Sequence, residues 1–213
     1  MMNRRLPVYI LIDTSGSMKG EPIESVKVGL SDMIASLRLD PYALETVCIS
    51  IITFNSNVKQ TLPLTDLENL QIPDIQVPDS GATFLGAALD LMCQRYDAEV
   101  NIGSREQKGD WMPLLFILTD GKPSDIQAYD EAILKVKRHQ FTNIVACAAG
   151  PKAKTEPLKK LTDNVFTLDT MDSNTFKKFF QWVTINVRQG GRTMGVTDQV
   201  ELPAPPAEIN IVI

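Results

Sequence analysis

Residues 8–20 read VYILIDTSGSMKG. An almost wholly apolar run stops at Asp13, and the chain then turns to Thr14, Ser15, Gly16 and Ser17, small oxygen-bearing side chains around one glycine. A short segment that is apolar on both faces belongs in the middle of a parallel sheet covered by helices on each side. Ligands of such sheets sit in the crevice beyond the carboxyl ends of the strands. The stretch therefore points to a buried strand that opens onto a polar rim, where the small oxygen-rich residues can hold either a backbone turn or an ion.

Three further segments have the same short apolar character, at 47–53, 114–119 and 143–148. Helical patterns lie between and after them. Ile23, Val26, Leu30, Met33, Ile34 and Leu37 recur at spacings of three and four, with Pro22 in the first turn and Asp40-Pro41 closing the element. Further helices are expected at 85–96, at 126–138 with Asp125 as the N-terminal cap, and at 173–188, where Phe176, Phe179, Phe180, Val183 and Val187 share one side. Val58, Gln60 and Leu62 alternate, which predicts a half-exposed edge strand formed by a hairpin after residues 54–57. A last strand is expected at 165–168. The order of elements predicts a doubly wound α/β fold: a mostly parallel sheet of about six strands with one antiparallel edge strand and helices on both faces.

Residues 97–110 are polar, contain Gly103 and Gly109, and read as a surface loop. After Arg188 the chain passes through Gly190-Gly191 and LPAPP to the apolar ending INIVI. Residues 1–188 are thus expected to form one domain and 189–213 a Gly/Pro-containing tail. The tail is either a flexible end or a strand that pairs with a sheet edge or a partner.

Composition narrows the classes. A hydrophobic fraction of 44% and a charged fraction of 22% in 213 residues describe an ordinary globular domain with enough chain for a core. The net charge of -5, with no basic stripe, excludes a general nucleic-acid surface. Cys48, Cys93 and Cys147 lie inside apolar patterns, too far apart in sequence for a zinc knuckle or redox pair, and read as buried thiols in a reducing compartment. No run approaches the roughly 20 apolar residues of a membrane span, and the N-terminus lacks a cleavable leader pattern. A cytoplasmic location follows as the expectation.

Asp13 follows the first strand and Asp120 follows LLFILT, so both face the same rim. Ser80-Gly81-Ala82-Thr83 precedes a helix and can reach it too. Hydroxyl and carboxylate oxygens are hard donors that suit Mg²⁺, Mn²⁺ or Ca²⁺ rather than zinc or copper. Two carboxylates about 6 Å apart would repel by roughly 3 kcal/mol at an effective dielectric near 20, a conflict that a dication removes. Gly16 and Gly81 would let the backbone bend close to such an ion.

These residues resemble the von Willebrand factor A (vWA) domains, whose metal-ion-dependent adhesion site has the order Asp-x-Ser-x-Ser, then Thr, then Asp. The pattern stands complete as Asp13-Thr14-Ser15-Gly16-Ser17, Thr83 in SGAT, and Asp120 in TDG. The stretches LIDTSGSMKGEPIE, DPYALETV, SGATFLGAAL and LTDGKPSD are similar to those of the TerY-type proteins of bacterial tellurium-resistance clusters. The likeness spans roughly residues 6–188. It implies a Rossmann-like vWA domain in which Ser15, Ser17 and Thr83 ligate a metal directly, with Mg²⁺ first and Mn²⁺ or Ca²⁺ as alternatives. Asp13 and Asp120 then act through bound waters. The implied function is non-enzymatic: a protein partner supplies an Asp or Glu carboxylate that completes the metal shell. The TerY likeness implies a tellurite or stress-response assembly, with phosphatase-like or kinase-like proteins of the same gene cluster as partners.

The alternative is a metal-dependent phosphoryl-transfer enzyme or a phospho-receiver using Asp13. Against it, position 15 is serine where haloacid-dehalogenase phosphatases place their second Asp, and the acidic pair and lysine of receivers are missing. Lys122 is either a second contact to an incoming carboxylate or a solvated loop residue. Asp79 and Glu21 read as turn and helix-start residues, and His139, the single histidine, as a helix-end residue.

Overall fold

Alternate residues of the first strand serve two different cores. Val8, Ile10 and Ile12 join a cluster with Ile23, Leu30 and Met33 on one face, and with Phe176, Phe179 and Phe180. Tyr9 and Leu11 join a second cluster with Leu85, Leu89, Tyr129 and Ile133 on the other. This period of two is the strand's own geometry. It explains why the segment is apolar throughout.

A computed structural model describes residues 4–104, 108–151, 153–193 and 202–212. The chain runs β1 (Leu6–Asp13), α1 (Glu21–Arg38), α2 (Pro41–Thr46), β2 (Val47–Phe54), β3 (Val58–Asp66), α3 (Leu85–Glu99) and β4 (Leu114–Thr119). It continues α4 (Ile126–Val136), β5 (Asn143–Ala149), α5 (Glu156–Lys159), β6 (Val165–Leu168), α6 (Ser173–Thr193) and β7 (Ile209–Ile211). The strand order is β3-β2-β1-β4-β5-β6-β7. The pairs among β2, β1, β4, β5 and β6 are parallel, while β3 on β2 and β7 on β6 are antiparallel. The expected doubly wound α/β sheet is present, with α1 and α6 on one face and α3 and α4 on the other.

Among the described residues the sheet has one strand more than expected, and β7 gives it a second antiparallel edge where one was expected. Of the two readings of the tail, the described residues 202–212 take the paired one: Ile209 is buried, and β7 lies against β6 from Leu168 to Phe166. The segment is also tied to α6, where Trp182 Nε1 donates to Pro203 O at 2.9 Å and Lys178 pairs with Glu208. Residues 194–201 of the tail lie outside the described residues, as do 105–107 of the expected 97–110 loop. Helix α6 continues past residue 188 because Gly190 packs closely on Leu114 and Leu6, and that burial offsets the roughly 1 kcal/mol propensity cost of glycine.

Local corrections follow the same logic. Asp40 does not merely close α1; its carboxylate accepts from Tyr42 N at 3.1 Å and Ala43 N at 3.4 Å and so starts the short α2. Helix α3 extends to Glu99, into the segment expected to be loop. Residues 67–84, between β3 and α3, run back along α1. Arg38 donates to Leu67 O at 2.8 Å and Leu70 O at 2.5 Å, Lys27 meets Asp74 at 3.8 Å, and Lys19 pairs with Asp79. Buried Leu67, Leu70 and Ile75 fix this strap, which delivers Thr83 to the carboxyl end of the sheet.

Candidate metal centre

Strand order reverses at β1, whose neighbours are β2 and β4, and this switch point leaves a crevice at the strands' carboxyl ends. Asp13 ends β1 and Thr119 ends β4. Thr119 Oγ1 donates to Asp13 Oδ2 at 2.6 Å, and Ser15 N donates to Asp13 Oδ1 at 2.8 Å. Ser15 Oγ lies 3.4 Å from Asp120 Oδ1 and 3.2 Å from Ser17 Oγ. One serine therefore touches both carboxylates and the second serine. Asp13, Ser15, Thr83 and Asp120 are buried, and Ser17 is exposed.

Thr83 enters from the strap. Its backbone N–H donates to Ser124 Oγ at 3.1 Å, and its carbonyl accepts from Ser124 N at 2.9 Å. Its hydroxyl stands over the residue after Asp120: a β-carbon placed on Gly121 would meet Thr83 Oγ1 at 3.2 Å. Thr83 is thus joined to the Asp120 loop, while Ser15, Ser17, Asp13 and Asp120 are joined to one another directly.

Burial pushes the Asp13 carboxyl up to about 6; hydrogen bonds from Thr119 and Ser15 oppose the rise, and the nearby Asp120 charge adds to it. Its ionised form is costly here, and a cation would offset that cost. Among the described residues, no three His, Cys, Asp or Glu side chains gather in a way that could hold an ion. The cluster here instead offers two carboxylates with hydroxyls, a donor set that fits a hard dication. His139 lies elsewhere, with its ring between Lys135 O and Asp97.

Several supporting residues carried no sequence signal of their role. Asn55 and Ser56, read only as a hairpin turn, hold two loops. Asn55 Nδ2 donates to Thr14 Oγ1 at 3.0 Å, Asn55 O accepts from Phe84 N at 3.2 Å, and Ser56 Oγ accepts from Ala82 N at 2.8 Å. Asp125 was expected to cap α4, but its side chain makes no bond to that helix's first turn. It accepts instead from Gly86 N at 3.1 Å and Ala87 N at 2.8 Å, at the start of α3. Gly16 serves a close approach between loops: a β-carbon there would lie 3.0 Å from Asp79 O and 3.2 Å from Ser80 Cα. Asp79 pairs with Lys19, Glu21 begins α1, and Lys122 is exposed.

The model of the von Willebrand factor type A domain matches residues 8–182. Bovine Matrilin-1 is 31% identical over 128 residues, covering 57% of this chain and 22% of the relative. Chicken Matrilin-3 is 30% identical over 128 residues, covering 58% of this chain and 27% of the relative. The chain spans about a quarter of the length of these curated relatives. Among solved structures, proximal thread matrix protein 1 from the mussel byssus, with a zinc-occupied MIDAS motif, has a TM-score of 0.64 at 16% identity, covering 87% of this chain and 48% of that one. The pilus adhesin SpaC from Lactobacillus rhamnosus GG has a TM-score of 0.67 at 12% identity, covering 89% of this chain and 30% of that one. Likeness at this level of identity establishes the shared fold.

Proposed function

The chain belongs to the von Willebrand factor type A family, and from that premise we propose that it is a metal-dependent protein-binding module rather than an enzyme. Ser15, Ser17 and Thr83 would hold a divalent cation, Mg²⁺ in the first instance, with Asp13 and Asp120 supporting it through bound water. The observation that carries this reading is Ser15, which contacts Asp13, Ser17 and Asp120 within one largely buried cluster. The zinc in the MIDAS motif of the mussel protein supports a divalent ion at the corresponding place.

When bound, the cation supplies a Lewis-acidic position that attracts an anionic oxygen. The protein's own residues favour such a ligand from outside. Uncharged hydroxyl donors leave the ion's charge incompletely neutralised, Ser17 is exposed at the mouth, and exposed Lys122 follows Asp120 by two residues, while Lys19 is already paired with Asp79. The ligand we propose is an Asp or Glu carboxylate of a protein partner. Asp13 is poorly placed as a phosphoryl acceptor, since it is buried and both its oxygens already accept hydrogen bonds. The TerY-like stretches support a tellurite or stress-response assembly, with phosphatase-like or kinase-like proteins as partners. The three buried free thiols fit a cytoplasmic, reducing setting.

The test compares the wild type with Ser15→Ala and Asp13→Ala. Mn²⁺ uptake is followed by electron paramagnetic resonance, and protein capture from a lysate is scored with Mg²⁺ or with chelator. Uptake and Mg²⁺-dependent capture by the wild type, both lost in folded variants, support the proposal. Equal capture by all three proteins with and without chelator rejects it.

A further inference from the structure

The start of α3 lacks a cap of its own. Phe84 occupies the N-cap position and offers no side-chain acceptor, so the first-turn amides would be orphans. The acceptor comes from 39 residues further along the chain, where Asp125 takes Gly86 N on Oδ1 and Ala87 N on Oδ2. The neighbouring Ser124 grips the backbone of Thr83 from both sides, accepting its N–H and donating to its carbonyl. Close backbone contact completes the junction: a β-carbon on Gly86 would lie 2.3 Å from Tyr129 N.

We infer that Ser124 and Asp125 are positioning residues that set where the Thr83 hydroxyl stands relative to Asp120. The inference rests on the metal-site reading above and assigns these residues a part in it. Asp120 and the clasp belong to one short segment, 120–125, so the clasp ties the backbone of Thr83 to the segment that carries Asp120. Ser15 and Ser17 lie in the first loop, anchored through Thr14 on Phe54 O and Asn55. Asn55 and Ser56 also hold Phe84 and Ala82 on either side of Thr83, while Ser124 holds the N–H and carbonyl of Thr83 itself. A neutral hydroxyl is a weak ligand and contributes only when it is already in place. The clasp does this through main-chain and helix-start contacts, without either residue needing to touch the ion.

The experiment has a metal-free arm and a metal arm. In metal-free protein, amide hydrogen exchange is measured in Ser124→Ala, Asp125→Asn and Asp125→Ala. Faster exchange confined to Thr83, Gly86 and Ala87 is expected, with sheet amides unchanged. Mn²⁺ affinity is then measured by titration in the same variants and in a Thr83→Ala background. Loss of a group that orients a ligand typically weakens metal binding by about 10-fold or more. A loss of that order is expected in Ser124→Ala and Asp125→Ala, and a smaller one in Asp125→Asn, which keeps one acceptor oxygen. In the Thr83→Ala background the same changes should cost nothing further, because residues acting through one contact are not additive.

Unchanged Mn²⁺ affinity in the folded variants overturns the positioning role. So does an equal further loss in the Thr83→Ala background, or a uniform rise in exchange across the sheet with no selective effect at Thr83. Ser124→Ala keeps the Asp125 cap and so decides the matter if Asp125→Ala does not fold. If the wild type takes up no Mn²⁺, the metal-site reading itself fails; if it binds and the variants match it, only the positioning role fails.

Discussion

The hydroxyl of Thr119 donates to the carboxylate of Asp13 across 2.6 Å, joining the last residue of β4 to the last residue of β1. Neighbouring parallel strands bring these side chains together because Ile12 pairs with Leu118 one step earlier. The bond fixes a buried carboxylate at the point where strand order reverses, and it is the partner through which β4 helps hold the first loop.

Thr119→Val keeps the shape and removes the donor. A buried acceptor left without its partner costs about 1–3 kcal/mol, so metal-free protein should lose stability of that order in urea denaturation. Thr119→Ser, which keeps a hydroxyl, should lose less. Equal midpoints for wild type and Thr119→Val would show that the bond contributes nothing.

Gly86→Ala separates propensity from packing. Helix propensity alone predicts a gain of about 1 kcal/mol from replacing glycine. The added methyl would meet backbone at Tyr129 N and Ala128 C, at 2.3 and 2.6 Å, which cannot yield without moving α4. A net loss of about 1–3 kcal/mol is expected, as for other overpacked sites. At Gly29 the three atoms nearest an added methyl, from 2.2 Å, all belong to the Phe180 side chain, which can shift where backbone cannot, so Gly29→Ala should lose less. A stabilised Gly86→Ala protein would contradict the close approach of α3 and α4.

Ile209→Asp places a carboxylate at a position that is 3% exposed, beside β6. The cost of burying an unpaired charge should detach β7 rather than unfold the sheet, because β7 is short and last in order. Hydrogen exchange should accelerate in β6 and leave β1 and β4 protected. Unchanged protection in β6 would mean that the tail does not pair there.

Asp172 gives a signed pH effect. The hydroxyl of Thr170 at 2.7 Å, together with the backbone N–H of Thr175 at 2.9 Å, holds its carboxyl below the ordinary range. A lowered folded value means that the unfolded chain binds the proton first as pH falls. The contribution is therefore complete above about pH 4 and is lost as pH falls through the folded value. The stability difference between wild type and Asp172→Ala should be flat above that point and shrink below it. A difference that grows on acidification would reverse the assignment.

Much of the fold was legible because it is written in local periodicity. The both-face apolar runs became β1, β2, β4 and β5, and the spacing of Ile23, Val26, Leu30 and Met33 became the inner side of α1. The position of Asp13 and Asp120 at strand ends was readable for the same reason. The roles of Asn55, Ser56, Ser124 and Asp125 were not. Asp125 looked like the cap of the helix it precedes, because a sequence shows only its nearest amides. The tail was equally ambiguous, since INIVI pairs or frays depending on whether an edge is free beside it.

The sequence by itself determined the alternation of strand and helix, the apolar faces and the kinds of oxygen donors at the rim, all of which depend on residues within a few positions of one another. Tertiary structure alone decided that Ser15 would lie between two carboxylates, that Thr83 would be carried by the Asp120 loop, and that the last strand would close the sheet at β6. Those outcomes depend on strand order and on contacts between residues dozens of positions apart. Such contacts form only when burial of two cores brings the ends of separate strands to a common edge.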